Sequence, residues 1–343
     1  MESSEGTAGM VPDAMHAAFI RTLGGAEAIE YGLLPVPSPG PGQVLLRMEA
    51  VAVNHVDLLV RSGAYATKLD FPFIVGRDVV GSVVGLGAGA VGFRLGQRVW
   101  CNSMGHAGRQ GSFSEYVAAP AERVHRLPDG VDPLAAVSVL HGAATAHLGL
   151  VREARVGAGE LVVILGAGGA VGSAAVQLAA GAGCRVVAVA GARDASWVAG
   201  LGAETTLDYR DPGLADRLRR CVGAGASVIW DTSGNMPVNE QARLLRIGGR
   251  IVHSAGIHGH QDIDTGAMYR RDISLHGLAI SNAAVGDLAV AARHLDTMFA
   301  GGGIKTRIGA VLPLSAAAAA HRMLRQLPLH EIGGKIVLVP ETR

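Results

Sequence analysis

The sequence predicts a two-domain α/β chain, one domain an irregular β structure and the other a doubly wound parallel sheet. Three observations carry this. Between Met15 and about Leu127, short apolar runs are broken repeatedly by glycine and proline. From about Leu161, apolar strands alternate with helical segments, the pattern of βα units with right-handed crossovers. At 343 residues the chain is too long for one comfortable core, and 49 glycines supply many tight strand–helix turns.

Residues up to Ala14 read as a mobile tail. Examples of the short strands after it are QVLLRMEAVAV (43–53), entered through the Pro/Gly loop PVPSPGPGQ, DVVGSVVGLG (78–87) and EYVAAP (115–120). Asp132-Pro133 offers an N-cap followed by proline at the first helical position, so a helix begins there and runs to about Leu150. The strand LVVIL (161–165), the helix AVGSAAVQLAAGAG, the strand RVVAVA (185–190) and the helix DASWVAGLG come next. After them stand the strand SVIWDTS (227–233), the helix VNEQARLLR and the strand RIVHSAG (250–256). Two helices are expected near the end, Val285 to Phe299 and Ser315 (as N-cap) to Leu327, before the strand KIVLVP (335–340). Residues 15–137 and 282–343 are assigned to the β domain, and 138–281 to the parallel-sheet domain.

Composition excludes several classes. Net charge is +1 with no basic tract, which leaves nothing to neutralise a nucleic-acid backbone. Cys101, Cys184 and Cys221 lie far apart, with no CxxC, which favours a reducing cytoplasm over a disulfide-stapled secreted protein. Leu161 to Cys184 carries no charge, but six glycines interrupt it, and it reads as buried strand, turn and helix rather than a membrane span. The N-terminus has no apolar signal-peptide region.

The strongest chemical signal is LVVILGAGGAVGSAAVQLA, a strand, a glycine turn and a helix in the order a dinucleotide pyrophosphate requires. The frame that fits is Ala167-x-Gly169-x-x-Gly172, with Gly168, Ala170 and Val171 between. The second position must lack a side chain so that backbone can approach phosphate, and the third lets helix pack on strand. The end of the next strand carries Ala190, Gly191 and Ala192 in place of an acid for the ribose hydroxyls, followed by Arg193. That pattern favours the 2′-phosphate of NADPH over NADH, although Arg193 is also placed to be a solvated helix-start residue ahead of a capping Asp194.

The ordered series VNHVDLLVRSGAY (53–65), GRDVVGSVVGLGAGAVGFRLGQRV (76–99), GSFSEYV, the glycine turn, LDYRD (207–211), DTSG (231–234), IGGRIV and GGKIVL resembles the medium-chain dehydrogenase/reductase superfamily. Within it, the resemblance is to the zinc-free quinone oxidoreductase (zeta-crystallin-like) branch, and it covers Met15 to Pro340. It implies a GroES-like catalytic domain, a Rossmann domain inserted before its last sixty or so residues, and a homodimer formed through Rossmann edge strands. Zinc-dependent relatives bind their metal through a cysteine, a histidine of Gly-His-Glu and a later Cys or His. The matching residues here are Asn54, Arg77 and His141, an unsuitable set for tetrahedral zinc, and no zinc is expected. His253, His258 and His260 read as polar loop residues.

Without a Lewis acid an isolated ketone is a poor hydride acceptor, whereas a conjugated one spreads the charge onto a distant oxygen that hydrogen-bond donors can support. The expected activity is therefore NADPH-dependent reduction of a quinone or α,β-unsaturated carbonyl compound. Tyr65 resembles the family tyrosine near the nicotinamide, and Asn54 is placed to orient substrate or cofactor ribose. Asp57 and Arg61, four apart, are either catalytic or an internal ion pair fixing the loop. His141 is either a proton donor or a buried helix histidine. By resemblance Thr145 lines the nicotinamide pocket, Tyr209 flanks the adenosine end, and Gly256 follows a Rossmann strand. Lys335 either approaches the cofactor or is a solvated strand-edge residue. Alternatives are an enoyl-thioester reductase, a zinc alcohol dehydrogenase and, in another class, a non-catalytic NADPH-binding redox sensor.

Overall fold

The structure, a computed structural model, describes residues 11–302, 304–327 and 329–341; most of the segment read as a tail lies outside them. The chain divides into two compact units, residues 1–140 with 288–343, and residues 141–287.

The first unit opens with β1 (Ala14–Ile20) and β2 (Glu30–Pro35), paired antiparallel. Its longest strand, β3 (Gln43–Ala52), runs straight into helix α1 (His55–Ser62), which ends at Gly63 in the left-handed region at φ +80°. The short β4 (Phe73–Ile74) pairs with β1, and β5 (Val79–Leu86), β6 (Arg98–Cys101), β7 (Tyr116–Pro120) and β8 (His125–Arg126) follow. Helix α2 (Pro133–His147) starts as the sequence predicts: the Asp132 carboxylate accepts from the Ala135 N–H at 2.9 Å. One wider π turn, Leu148–Glu153, prolongs it.

The second unit supplies β9 (Leu161–Leu165), α3 (Ala170–Gly181), β10 (Arg185–Ala190), α4 (Ala195–Gly200), β11 (Thr205–Asp208) and α5 (Leu214–Val222). It continues with β12 (Ala226–Asp231), α6 (Val238–Leu244), β13 (Leu245–His253), α7 (Thr265–Tyr269) and β14 (Ser274–Gly277). These strands form one all-parallel sheet in the order β11-β10-β9-β12-β13-β14. The chain winds one way from β9 and then returns to wind the other, which creates a switch point beside β9, where such sheets bind ligands at their carboxyl edge. The uncharged stretch Leu161–Cys184 is β9, its turn and α3, and β9 is buried from Val162 to Leu165. The core of this unit gathers Val163, Val187, Ile229, Leu245 and Ile251. Gly149 in the π turn gives room to the buried Trp230: a Cβ there would stand 2.3 Å from the indole.

After α8 (Val285–Ala300) the chain rejoins the first unit as β15 (Ile308–Pro313), α9 (Ala317–Gln326), α10 (Leu329–Ile332) and β16 (Lys335–Val339). β16 pairs antiparallel with β3 and completes the seven-stranded order β15-β16-β3-β5-β6-β8, with β7 also on β3. Met15, Phe19, Leu46, Phe73, Phe113 and Leu338 are central to this core. One expected boundary is corrected. Ser315 does not cap α9, because Leu314 is fully buried and the Ser315 N–H donates to Glu341 (3.0 Å), so a 3-10 turn, Leu314–Ala316, comes first.

By length and composition, Pro133–Glu153 is apolar enough to cross a membrane, but 78% of the tested stretch is buried inside the protein, as in a core helix.

Candidate active site

In the second unit, β9 ends at Leu165 and the tight turn falls on Gly166, at φ +76°, one residue before Ala167. A side chain would strain that conformation. Ala167 itself is fully buried. Gly169 stands at the N-cap of the twelve-residue α3, with Ala170 and Val171 in its first turn. A Cβ on Gly172 would lie 2.2 Å from the Gly166 carbonyl oxygen, so the helix seats directly on the strand end only because that position is glycine. A Cβ on Gly168 would stand 2.6 Å from Asp194 Oδ2. The first-turn N–H groups of α3, with the helix dipole behind them, make this a cradle that fits a pyrophosphate.

Neighbouring strand ends complete the carboxyl edge. Buried Asp231 closes β12 and accepts hydrogen bonds from Ser233 N (2.8 Å), Ser233 Oγ (2.7 Å), Gly234 N (2.9 Å) and Met236 N (3.1 Å). Thr232 Oγ1 donates to the Leu165 carbonyl at 2.8 Å, tying this loop to the glycine turn. Gly234 (φ +74°) and Gly256 (φ +77°) pack backbone against backbone, and a Cβ on the former would meet Gly256 N at 3.2 Å. Asp231 and Thr232 were not foreseen as site residues, although DTSG is visible in the sequence.

Past the end of β10, Gly191 abuts Tyr209: a Cβ there would lie 3.3 Å from the phenol ring. Tyr209 is 53% exposed, and the Arg210 guanidinium sits 5.1 Å over its ring. Arg193 is exposed on the 3-10 turn Ala192–Asp194, and Asp194 makes no side-chain capping bond to α4. On α2, the Thr145 hydroxyl donates to the main-chain oxygen of half-buried His141 (2.7 Å) and is thereby used within the helix.

The first unit holds a buried polar network. Asn54 caps α1 reciprocally with Asp57, whose carboxylate accepts from the Asn54 N–H at 2.7 Å. The Asn54 amide nitrogen donates to Asp78 Oδ2 (2.9 Å), and its oxygen accepts from the Lys335 ammonium. Lys335 is therefore neither a freely solvated edge residue nor an isolated one. It joins β16 to α1 and β5. Burial pushes the Asp57 carboxyl up to about 6, against the opposing pull of the Asn54 bonds, Arg77 and Lys335. Burial likewise raises Asp78 to about 7, with Lys335 and Asn54 opposing it. Asp78, again unforeseen, stands with Arg77 in an otherwise apolar run.

Asp57 does not pair with Arg61. Arg61 is 1% exposed and meets His321 Nδ1 at 3.4 Å on α9, because α1 turns this residue into the core and Asp57 toward its own N-terminus. Tyr65 lies just beyond α1, half-buried, with its ring edge-on to His106 at 5.7 Å.

The sheet order and glycine cradle together make a dinucleotide-binding fold, the class to which nicotinamide-dependent oxidoreductases belong. The alcohol dehydrogenase GroES-like domain profile matches residues 40–129, and the zinc-binding dehydrogenase profile residues 170–296. The chain is 31% identical to quinone oxidoreductase of Sus scrofa, covering 95% of this chain and 98% of that protein. Among solved structures it is similar to an NAD-dependent alcohol dehydrogenase (30% identity, TM-score 0.85, 95% and 100% coverage). It is also similar to mycobacterial Rv1454c complexed with NADPH (27% identity, TM-score 0.82, 95% and 100% coverage). The chain belongs to the quinone oxidoreductase-like branch of the medium-chain dehydrogenase/reductase family, and it is an enzyme of this kind.

Zinc, implied by one family description, does not suit the residues present. The Asn54 amide is committed to Asp78 and Lys335, and the Arg77 guanidinium has no lone pair to give. Among the described residues no cluster of three or more His, Cys, Asp or Glu is arranged to hold a metal ion.

The raised carboxyls predict a pH signature. A carboxyl whose folded pKa exceeds its unfolded value stabilises the fold fully at low pH and loses that contribution as pH rises through the folded value. Asp78→Asn removes this penalty. Its melting temperature relative to wild type should therefore climb between pH 5 and 8, and a difference that stays constant over that range would contradict the assignment.

Proposed function

We propose that this enzyme reduces a quinone or α,β-unsaturated carbonyl compound with NADPH, without metal, in a reducing cytoplasm. The observation that carries the cofactor choice is the adenosine end of the cradle: no carboxylate ends β10, while Arg193 follows it and Arg210 covers the neighbouring Tyr209. Two guanidinium groups there suit a 2′-phosphate. A bound nicotinamide supplies the hydride.

The chain's own groups have separable tasks in this reading. The glycine turn, Asp231 and Thr232 hold the carboxyl edge open to pyrophosphate. Gly256 presents backbone near the nicotinamide end, and Thr145 and His141 contribute the α2 wall. Tyr65 donates its hydroxyl to the acceptor's oxygen as negative charge develops there. Asn54, Asp57, Arg61 and Lys335 act as positioning residues, since their polar atoms are engaged within the first unit. A conjugated acceptor is the substrate class that such hydrogen bonding can support, because its charge is delocalised. The quinone oxidoreductases among the relatives favour the same class. We further propose a homodimer through the edge strands of the parallel sheet; a monomeric mass in light scattering would remove that element alone.

Turnover should appear when NADPH is mixed with simple quinones and enones. Tyr65→Phe should lower kcat about 10- to 100-fold with little change in cofactor affinity; an unchanged kcat would remove Tyr65 from the reaction. Arg193→Glu should weaken NADPH at least about tenfold more than NADH, measured by fluorescence titration of each. Equal losses for both nucleotides would count against the phosphate assignment.

A further inference from the structure

Beside Tyr65 the first unit concentrates positive charge that the network around Asn54 absorbs only in part. His106 and Arg109 belong to one tight turn, in which the Arg109 N–H donates to the His106 carbonyl at 3.2 Å. Arg109 spends its Nε on the Ser103 carbonyl (3.0 Å), leaving the two outer nitrogens of its fork. Arg77 is 2% exposed, yet its Nη2 meets no acceptor, and His106 Nδ1 is buried in the same condition. Arg123 has one carboxylate nearby, Glu122 at 4.0 Å, the limit of an ion pair, and that carboxylate is mostly solvated. Partial burial holds the His106 imidazole down to about 4, and Arg77, Arg109 and Arg123 all push it the same way. The Met104 N–H donates to the Arg77 carbonyl (3.2 Å), which lays Arg77 alongside the segment carrying His106, and Arg77, Arg109 and Arg123 all act electrostatically on this neutral ring, which stands edge-on to Tyr65. Asp57 and Asp78 act on Arg77 with the opposite sign but are themselves shared with Lys335.

Burying cation donors without acceptors is costly unless an anion completes them. We infer that Arg77, Arg109 and Arg123, with His106, form a subsite for an anionic group carried by the acceptor, placed next to the tyrosine that receives its carbonyl end. The inference rests on the reduction proposed above and narrows its substrate class to acidic conjugated acceptors. The guanidinium fork suits a carboxylate or a phosphate. A carboxylate on the acceptor's own skeleton reaches a subsite this close to Tyr65, whereas the phosphates of a coenzyme A handle lie a full pantetheine arm from the carbonyl.

Two matched pairs test this: 4-oxopent-2-enoate against its methyl ester and, as the control, crotonyl-coenzyme A against crotonyl-pantetheine. In the first pair kcat/KM should favour the anion by at least about tenfold, and Arg109→Gln/Arg123→Gln should bring that ratio to about one while leaving the ratio of the second pair unchanged. A ratio near one in the first wild-type pair, a preference untouched by the double substitution, or a response confined to the coenzyme A pair would overturn the subsite. If no acceptor is reduced at all, the proposed reaction fails, and fumarate alone then decides the subsite through the NMR signal of His106. Movement of that signal in wild type and none in the double variant supports the subsite; no movement in wild type refutes it.

Discussion

Two carboxylates buried beside a lysine and an arginine are the arrangement on which the first unit depends. Asp57 and Asp78 are almost wholly removed from water, where an unpaired charge costs several kcal/mol. Asn54 makes the burial tolerable by lending its amide in both directions, donating to Asp78 and accepting from Lys335. The consequence is geometric. Helix α1 is fixed at its first turn, and the chain that emerges from it toward Tyr65 starts from a rigid point. The same polar interior explains why Arg77 can sit so deep, two residues ahead of a strand rich in valine and glycine.

The parallel sheet was legible because its strands are apolar on both faces. LVVIL, RVVAVA and SVIWD announce themselves as continuous hydrophobic runs, and a helix follows two of them directly. β11, β14 and β15 were not legible. TTLD and SLHG are four residues each, too short for periodicity to show, and they become strands because a finished neighbour offers them an edge to pair with. β15 alternates between half-buried and exposed residues, so its sequence carries no core signal. The helix Leu214–Val222 was missed because three arginines and an aspartate crowd its nine residues and leave only a thin apolar stripe through Leu214, Leu218 and Val222.

The site was legible to different degrees in the two units. A glycine turn is a backbone feature, so its chemistry shows in the residue types themselves; even there, the left-handed residue proved to be Gly166 rather than the first position of the frame. The network around Asn54 joins the local capping pair 54 and 57 to residues 78 and 335, and nothing local marks those two as their neighbours. Spacing alone suggested that Asp57 and Arg61 face one another. Capping geometry sends the first toward the start of its helix, and core packing sends the second to His321. His106, Arg109 and Arg123 gave no signal either, since each is an ordinary polar residue until the fold gathers them.

Lys335 arrives from a strand near the far end of the chain, on the other side of an inserted unit of 147 residues. During synthesis, residues 54, 57 and 78 emerge long before it, so their carboxylates have no ammonium to face while the parallel sheet is being made. The inserted unit has all its strands in one continuous stretch and is free to fold in sequence order, as domains do on the ribosome. The unit that comes first in the sequence is therefore completed last, when β16 docks against β3 and carries in the missing charge.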